Sequence, residues 1–112
     1  MIDKQTKIDL ICTKVCGWHR RTTPIETVWW WASETQDHET GALFDPFTNP
    51  SDTARVMDEV VKQGCDWILH YDKTGLRYSV DIGTLKTIHY GQSETSWMEA
   101  FCEAVLAMIG EG

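Results

Sequence analysis

Between residues 76 and 82 the chain alternates without a fault. Leu76, Tyr78, Val80 and Ile82 are apolar, while Arg77, Ser79 and Asp81 are polar, which is the two-residue period of a strand with one covered face. The run before it, 65–71, sets Trp67, Leu69 and Tyr71 on one side, and Asp72-Lys73-Thr74-Gly75 supplies turn residues, so the two segments read as a hairpin. Gly83-Thr84 turns the chain again into a weaker third strand over 85–90. Upstream, Thr27-Val28-Trp29-Trp30-Trp31-Ala32 is rich in β-branched and aromatic residues and predicts a strand with Trp29 and Trp31 on one face and Trp30 on the other. The flanking stretches, 19–26 and 33–43, are polar and read as connectors.

Three other stretches follow the helical period. In residues 3–16, Ile8, Ile11, Cys12 and Val15 share a stripe that Lys4, Lys7 and Lys14 avoid. Gly17 stops the helix, and Trp18 follows where a side chain packs back on the last turn. Residues 50–63 form a second helix, with Asn49 as N-cap, Pro50 in the first turn, Asp52 at the positive end and Gly64 as stop. Its expected core face is Ala54, Met57, Val60 and Val61, with Val56 at the margin. Ser96-Trp97-Met98-Glu99 matches a capping box, and Trp97, Phe101, Ala104, Val105 and Met108 line one stripe of a third helix that ends before Gly110. The expected architecture is α+β: one domain, 1–112, an α/β sandwich of three helices packed on a small antiparallel sheet of about four strands, in the order α-β-α-β-β-β-α.

Composition changes this picture in two places. A chain of 112 residues with 42% hydrophobic and 24% charged residues can bury a core unaided. Six tryptophans supply flat surfaces for a core or for stacking on a ligand. The net charge of −7 argues against broad attachment to DNA or to an anionic membrane, since such binding needs many phosphates neutralised. With no apolar leader and no run near the roughly 20 apolar residues of a membrane span, a cytoplasmic protein is expected. Cys12, Cys16, Cys65 and Cys102 then read as reduced thiols. Cys12, Cys16 and His19 lack a fourth ligand at readable spacing, so no metal or cofactor is expected.

Gly17-Trp18, Trp29-Trp30, the run Phe44-Asp45-Pro46-Phe47-Thr48-Asn49, the helix around Ala54 and Val56, and Phe101-Cys102-Glu103-Ala104 together resemble the phage ABA sandwich domain family of small phage and prophage proteins. Cys16 stands where members often have Met, and Glu103 where they often have a basic residue; the second departure weakens an anion-binding role for that helix face. The resemblance implies an α/β sandwich and a phage origin, without an agreed activity. By analogy of size and setting, not of motif, small phage proteins of this build include the Thoeris anti-defence sponges, which are oligomers that trap nucleotide signals of bacterial immunity.

A sponge needs aromatic faces for a base and cations for a pyrophosphate. The candidates are Trp18, His19, Arg20, Arg21, Trp30, Arg77 and Tyr90, with a nucleotide-type small molecule as ligand and a homo-oligomer as the expected state. Against this, a tryptophan on a strand is by default core, and a pair such as Arg20-Arg21 is more often a solvated loop than a phosphate clamp. Catalysis finds no nucleophile elbow, His-Glu-x-x-His or phosphate loop, although His70 alternates with Asp66 and Asp72 on one strand. A binding protein is therefore expected rather than an enzyme. The alternative reading is an acidic module that inhibits a host protein, with patches such as Asp58-Glu59 and Glu99/Glu103.

Overall fold

The computed structural model describes residues 3–41, 43–84 and 87–110. Helix α1 (Lys4–Leu10) begins at Asp3, whose side chain accepts from the Thr6 amide, and continues as a π-helical segment, Ile11–Val15. That wider turn buries Ile11, Cys12 and Val15 together. Gly17 at φ 68 ends it, and the Trp18 amide reaches back to the Cys12 carbonyl at 2.9 Å.

Among the described residues six strands follow, as two antiparallel sheets of three. The first contains β1 (His19–Thr22), β2 (Thr27–Ala32) and β3 (Asp37–Glu39), and the second β4 (Asp66–Asp72), β5 (Arg77–Gly83) and β6 (Ile88–Ser93). The α+β class and the three helices are as expected, but one sheet of about four strands is replaced by two of three. The difference lies in β1 and β3, inside the stretches read as polar connectors. Every residue of β1 is exposed, so it carries no alternation to betray it. It is a strand because it pairs with β2, from His19 opposite Trp30 to Thr22 opposite Thr27.

Helix α2 (Pro50–Lys62) is capped by Asn49, whose side chain accepts from the Ser51 amide. Its buried face is Thr53, Val56 and Val60, with Met57 half-buried; Ala54 and Val61 are exposed, correcting the expected face. A fully buried Thr53 is tolerated because its hydroxyl donates to the Pro46 carbonyl at 2.7 Å. This rotates the helix away from the purely apolar stripe.

Leu76 also departs from expectation. It belongs to the β4–β5 turn with φ 50 and is exposed, so the inner face of β5 begins at Tyr78. Strand β6 starts later than the 85–90 run, of which Leu85 and Lys86 lie outside the described residues.

Helix α3 (Trp97–Met108) is the centre of the molecule. Ala100, Phe101, Cys102, Ala104, Val105 and Leu106 are all buried, because β5 and β6 cover one side while α2 and the π-helical segment approach another. Ser96 accepts from the Met98 and Glu99 amides. The capping box is half formed, since the Ser96 amide donates to Ser93 Oγ rather than to Glu99. Gly91 on β6 lies hard against α3: a Cβ there would stand 2.2 Å from the Ala104 nitrogen and 2.3 Å from the Ala100 carbonyl oxygen. Glycine, facing two alanines, is what lets sheet and helix close.

Candidate functional site

The register of β1 and β2 decides which candidate side chains can meet. Arg20 sits opposite Trp29, and His19 and Arg21 opposite Trp30 and Val28, so adjacent residues of His19-Arg20-Arg21 point to opposite faces. Trp18 precedes β1 and packs on the Trp31 face of β2. It is buried, its ring stacked on Trp31 at 4.5 Å and 17° and set edge-on to Phe44 at 5.4 Å. Its indole nitrogen makes no hydrogen bond among the described residues. Trp18 is thus part of the core and has no face free for a ligand.

On the outer face of the first sheet, His19 tilts over half-buried Trp30 with centroids 4.5 Å apart, and Arg21 reaches across to Glu39 at 2.7 Å. A cavity of about 420 Å³ here is lined by Arg21, Trp30, Asp37, His38 and Glu39. One arginine stands against two carboxylates, an unfavourable setting for a phosphate.

Arg20 points the other way, into the largest groove described, about 730 Å³. Lys4, Gln5 and Ile8 of α1 form one wall; Thr27 and Trp29 of β2 form another; Leu43, Phe44, Asp45, Thr48 and Asn49 close it. Arg20 is 3.5 Å from Asp9, and Lys4 is 2.5 Å from Asp45. Partial burial works against the Asp45 carboxylate, but hydrogen bonds from Lys4, the Thr48 hydroxyl and the Phe47 amide outweigh it and hold its pKa below the ordinary value. Asn49 marks the positive end of α2. The groove therefore combines two cations, each paired with a carboxylate, with neutral amides, hydroxyls and apolar walls, the mixture typical of small-molecule sites. Leu43 is 90% exposed at its rim.

Arg77 and Tyr90 lie elsewhere, on the outer face of the second sheet. Both bond to Gln92 Oε1, at 3.2 Å from Arg77 and 3.2 Å from the Tyr90 hydroxyl. On the same face His70 Nε2 is 3.7 Å from Asp81 Oδ2 across the strands, in place of a pairing with Asp66 or Asp72. The seven candidates thus fall into four places: Trp18 in the core, His19, Arg21 and Trp30 together on the outer face of the first sheet, Arg20 in the groove, and Arg77 with Tyr90 on Gln92. Lys4, Gln5 and Asn49 were not among them. Only folding brings Lys4 beside Arg20, and Asn49 showed nothing beyond its capping role.

Burial pushes the Cys12, Cys16 and Cys102 thiols well above their ordinary pKa, which leaves them protonated and unreactive. No cluster of His, Cys, Asp or Glu among the described residues is arranged to hold a metal. Nor is any helix among them long and apolar enough to cross a membrane.

No family model matches this chain, and no curated protein does. Its fold is similar to that of a phage protein from Bacillus cereus ATCC 14579, known from a crystal structure. The TM-score is 0.62, with 17% sequence identity, over 96% of this chain and 92% of that one. At that identity the likeness is one of fold.

Proposed function

We propose that this chain is a phage-type binding protein that captures a nucleotide-derived immune signal inside an infected bacterium and holds it without cleaving it. The observation that carries the reading is the groove between α1, β2 and the Asn49 end of α2. There Lys4 and Arg20 stand over walls that include Ile8, Trp29, Phe44 and Leu43. Its volume of about 730 Å³ suits a dinucleotide-sized ligand, and a phosphate entering it would take Lys4 and Arg20 from their carboxylate partners Asp45 and Asp9, the Arg20 contact being the looser at 3.5 Å. The fold shared with a phage protein is consistent with the setting.

Differential scanning fluorimetry with cyclic ADP-ribose derivatives and cyclic oligonucleotides tests the reading. A bound ligand at a hundred times its Kd stabilises by about 2.7 kcal/mol and raises the melting temperature accordingly. The Arg20→Ala variant should lose that shift and Arg21→Ala should keep it. A flat response across the panel, with no small molecule retained from activated host lysate, removes the proposal.

A second reading, capture of a basic host protein, is favoured by a different observation. Half-buried Trp30 is an aromatic anchor with Asp37 and Glu39 beside it. That reading becomes the working one if the nucleotide panel fails.

A further inference from the structure

Sheet edges differ sharply between the two halves of this molecule. The outer strands of the first sheet are short and charged: four residues in β1, with His19, Arg20 and Arg21, and three in β3, with Asp37 and Glu39. Short, charged edges are how folded chains discourage further strand pairing. β4 is less protected, with carboxylates only at its two ends, Asp66 and Asp72. It is seven residues long, without proline, lysine or glycine, and pairs with β5 in unbroken register from Asp66 opposite Gly83 to Asp72 opposite Arg77. Among the described residues, no backbone hydrogen bond from Asp66–Asp72 goes outside that ladder.

The β4 side chains are as open as its backbone. α3 lies chiefly over β5 and β6. Leu69 and Tyr71, on the inner face with Trp67, therefore remain 40% and 50% exposed, and Ile68 on the outer face is 57% exposed. An uncovered, flat, apolar edge strand is a template for another strand.

We propose that a second copy of this chain pairs with β4 edge to edge, antiparallel, about a two-fold axis at Ile68, making one continuous six-stranded sheet. The register follows from the strand's own composition. With Ile68 on the axis, Ile68 meets its own counterpart, Trp67 meets the partner's Leu69 on the inner face, and Asp66 meets the partner's His70 on the outer face. An imidazole N–H donates to that carboxylate whether or not the ring is charged. Moving the axis to Leu69 pairs the full length of the strand but sets Asp66 against the partner's Asp72 at both ends. Like charges directly opposite disfavour that register. This interface is on the second sheet, away from the groove at Arg20, and its test is independent of any ligand.

Sedimentation velocity on the full chain at micromolar concentration should give the mass of two chains. Ile68→Lys should halve it with the far-ultraviolet circular dichroism unchanged, because this side chain is exposed and carries no core contact. Ile88→Lys, a still more exposed change on β6 of the same outer face, should leave the dimer intact. Under mild oxidation Ile68→Cys should form a covalent dimer. Cα atoms directly opposite in an antiparallel pair are about 4.5 to 5.5 Å apart, within the reach of a disulfide. Leu69→Cys, offset from its counterpart by two positions, should not. A monomeric wild-type chain, or an Ile68→Lys chain that stays dimeric, overturns the proposal and leaves the edge to a strand from another protein. A covalent dimer from Leu69→Cys in place of Ile68→Cys overturns the register.

Discussion

Trp18 and Trp31 lie nearly parallel, 4.5 Å between ring centroids and 17° between planes, and tie the turn after the first helix to the middle strand of the first sheet. Trp31 meets His38 on β3 at 5.4 Å, and the Arg55 guanidinium of α2 stands 5.6 Å from its centroid. Four elements converge on this pair of rings, so removing one of them loosens them all. Trp18→Ala should cost about 3 to 5 kcal/mol in chemical denaturation, as expected for a buried aromatic. Trp30→Ala, on the outer face, should cost about 1 kcal/mol. Equal losses would show that the two faces of β2 are packed alike.

Gly91→Ala should be among the most damaging single changes. A Cβ 2.2 Å from a helix backbone nitrogen cannot be absorbed by rotating a side chain. The cost should be about 3 kcal/mol or more, at the upper end for overpacking. Gly41→Ala, where a Cβ meets nothing within 4 Å, should leave the melting temperature unchanged. A Gly91→Ala protein as stable as wild type would show that α3 and β6 can separate freely.

Leu76 offers the opposite sign. Its backbone is held at φ 50 on an exposed turn, a region that costs an ordinary residue roughly 1 to 2 kcal/mol. Leu76→Asn, which tolerates that region, should raise stability by up to about 1 kcal/mol in urea denaturation.

The Asp45 carboxylate links pH to stability. Its folded pKa lies below the ordinary value of 3.8, so it contributes fully above that value. The contribution fades as the pH falls through the lower folded value, where the carboxylate takes up a proton. The wild type should therefore melt above Asp45→Asn at neutral pH, and the gap should close as the pH falls below 3.8 and through the lower folded value. A gap that persists in acid would assign Asp45 a role other than its charge.

Thiol titration tests the core directly. Cys12, Cys16 and Cys102 should resist a thiol reagent at neutral pH, and all four cysteines should react once the chain is unfolded in guanidinium. Rapid native labelling of Cys12 would contradict its burial.

Much of the fold was legible because burial writes a period into the sequence. The strand from Tyr78 to Ile82, the caps at Asn49 and Ser96 and the stop at Gly17 all declare themselves. What escaped notice had no period to show. β1 is exposed along its whole length, and β3 is three residues long. Apolar periodicity assigns Ala54 to the core and passes over Thr53, because a hydroxyl counts as polar until the Pro46 carbonyl that accepts from it is in view. Site residues were harder still. Alternation along β1 sends Arg20 and Arg21 to opposite faces, and Lys4 comes beside Arg20 only by packing of α1 against the first sheet.

The pinch at Gly91 also gives a way to recognise the same packing in another chain. Any chain that closes this helix onto this strand to the same depth must keep a residue without a Cβ on the strand, followed nine and thirteen positions later by small residues, here Ala100 and Ala104. That spacing is a signature imposed by contact distance.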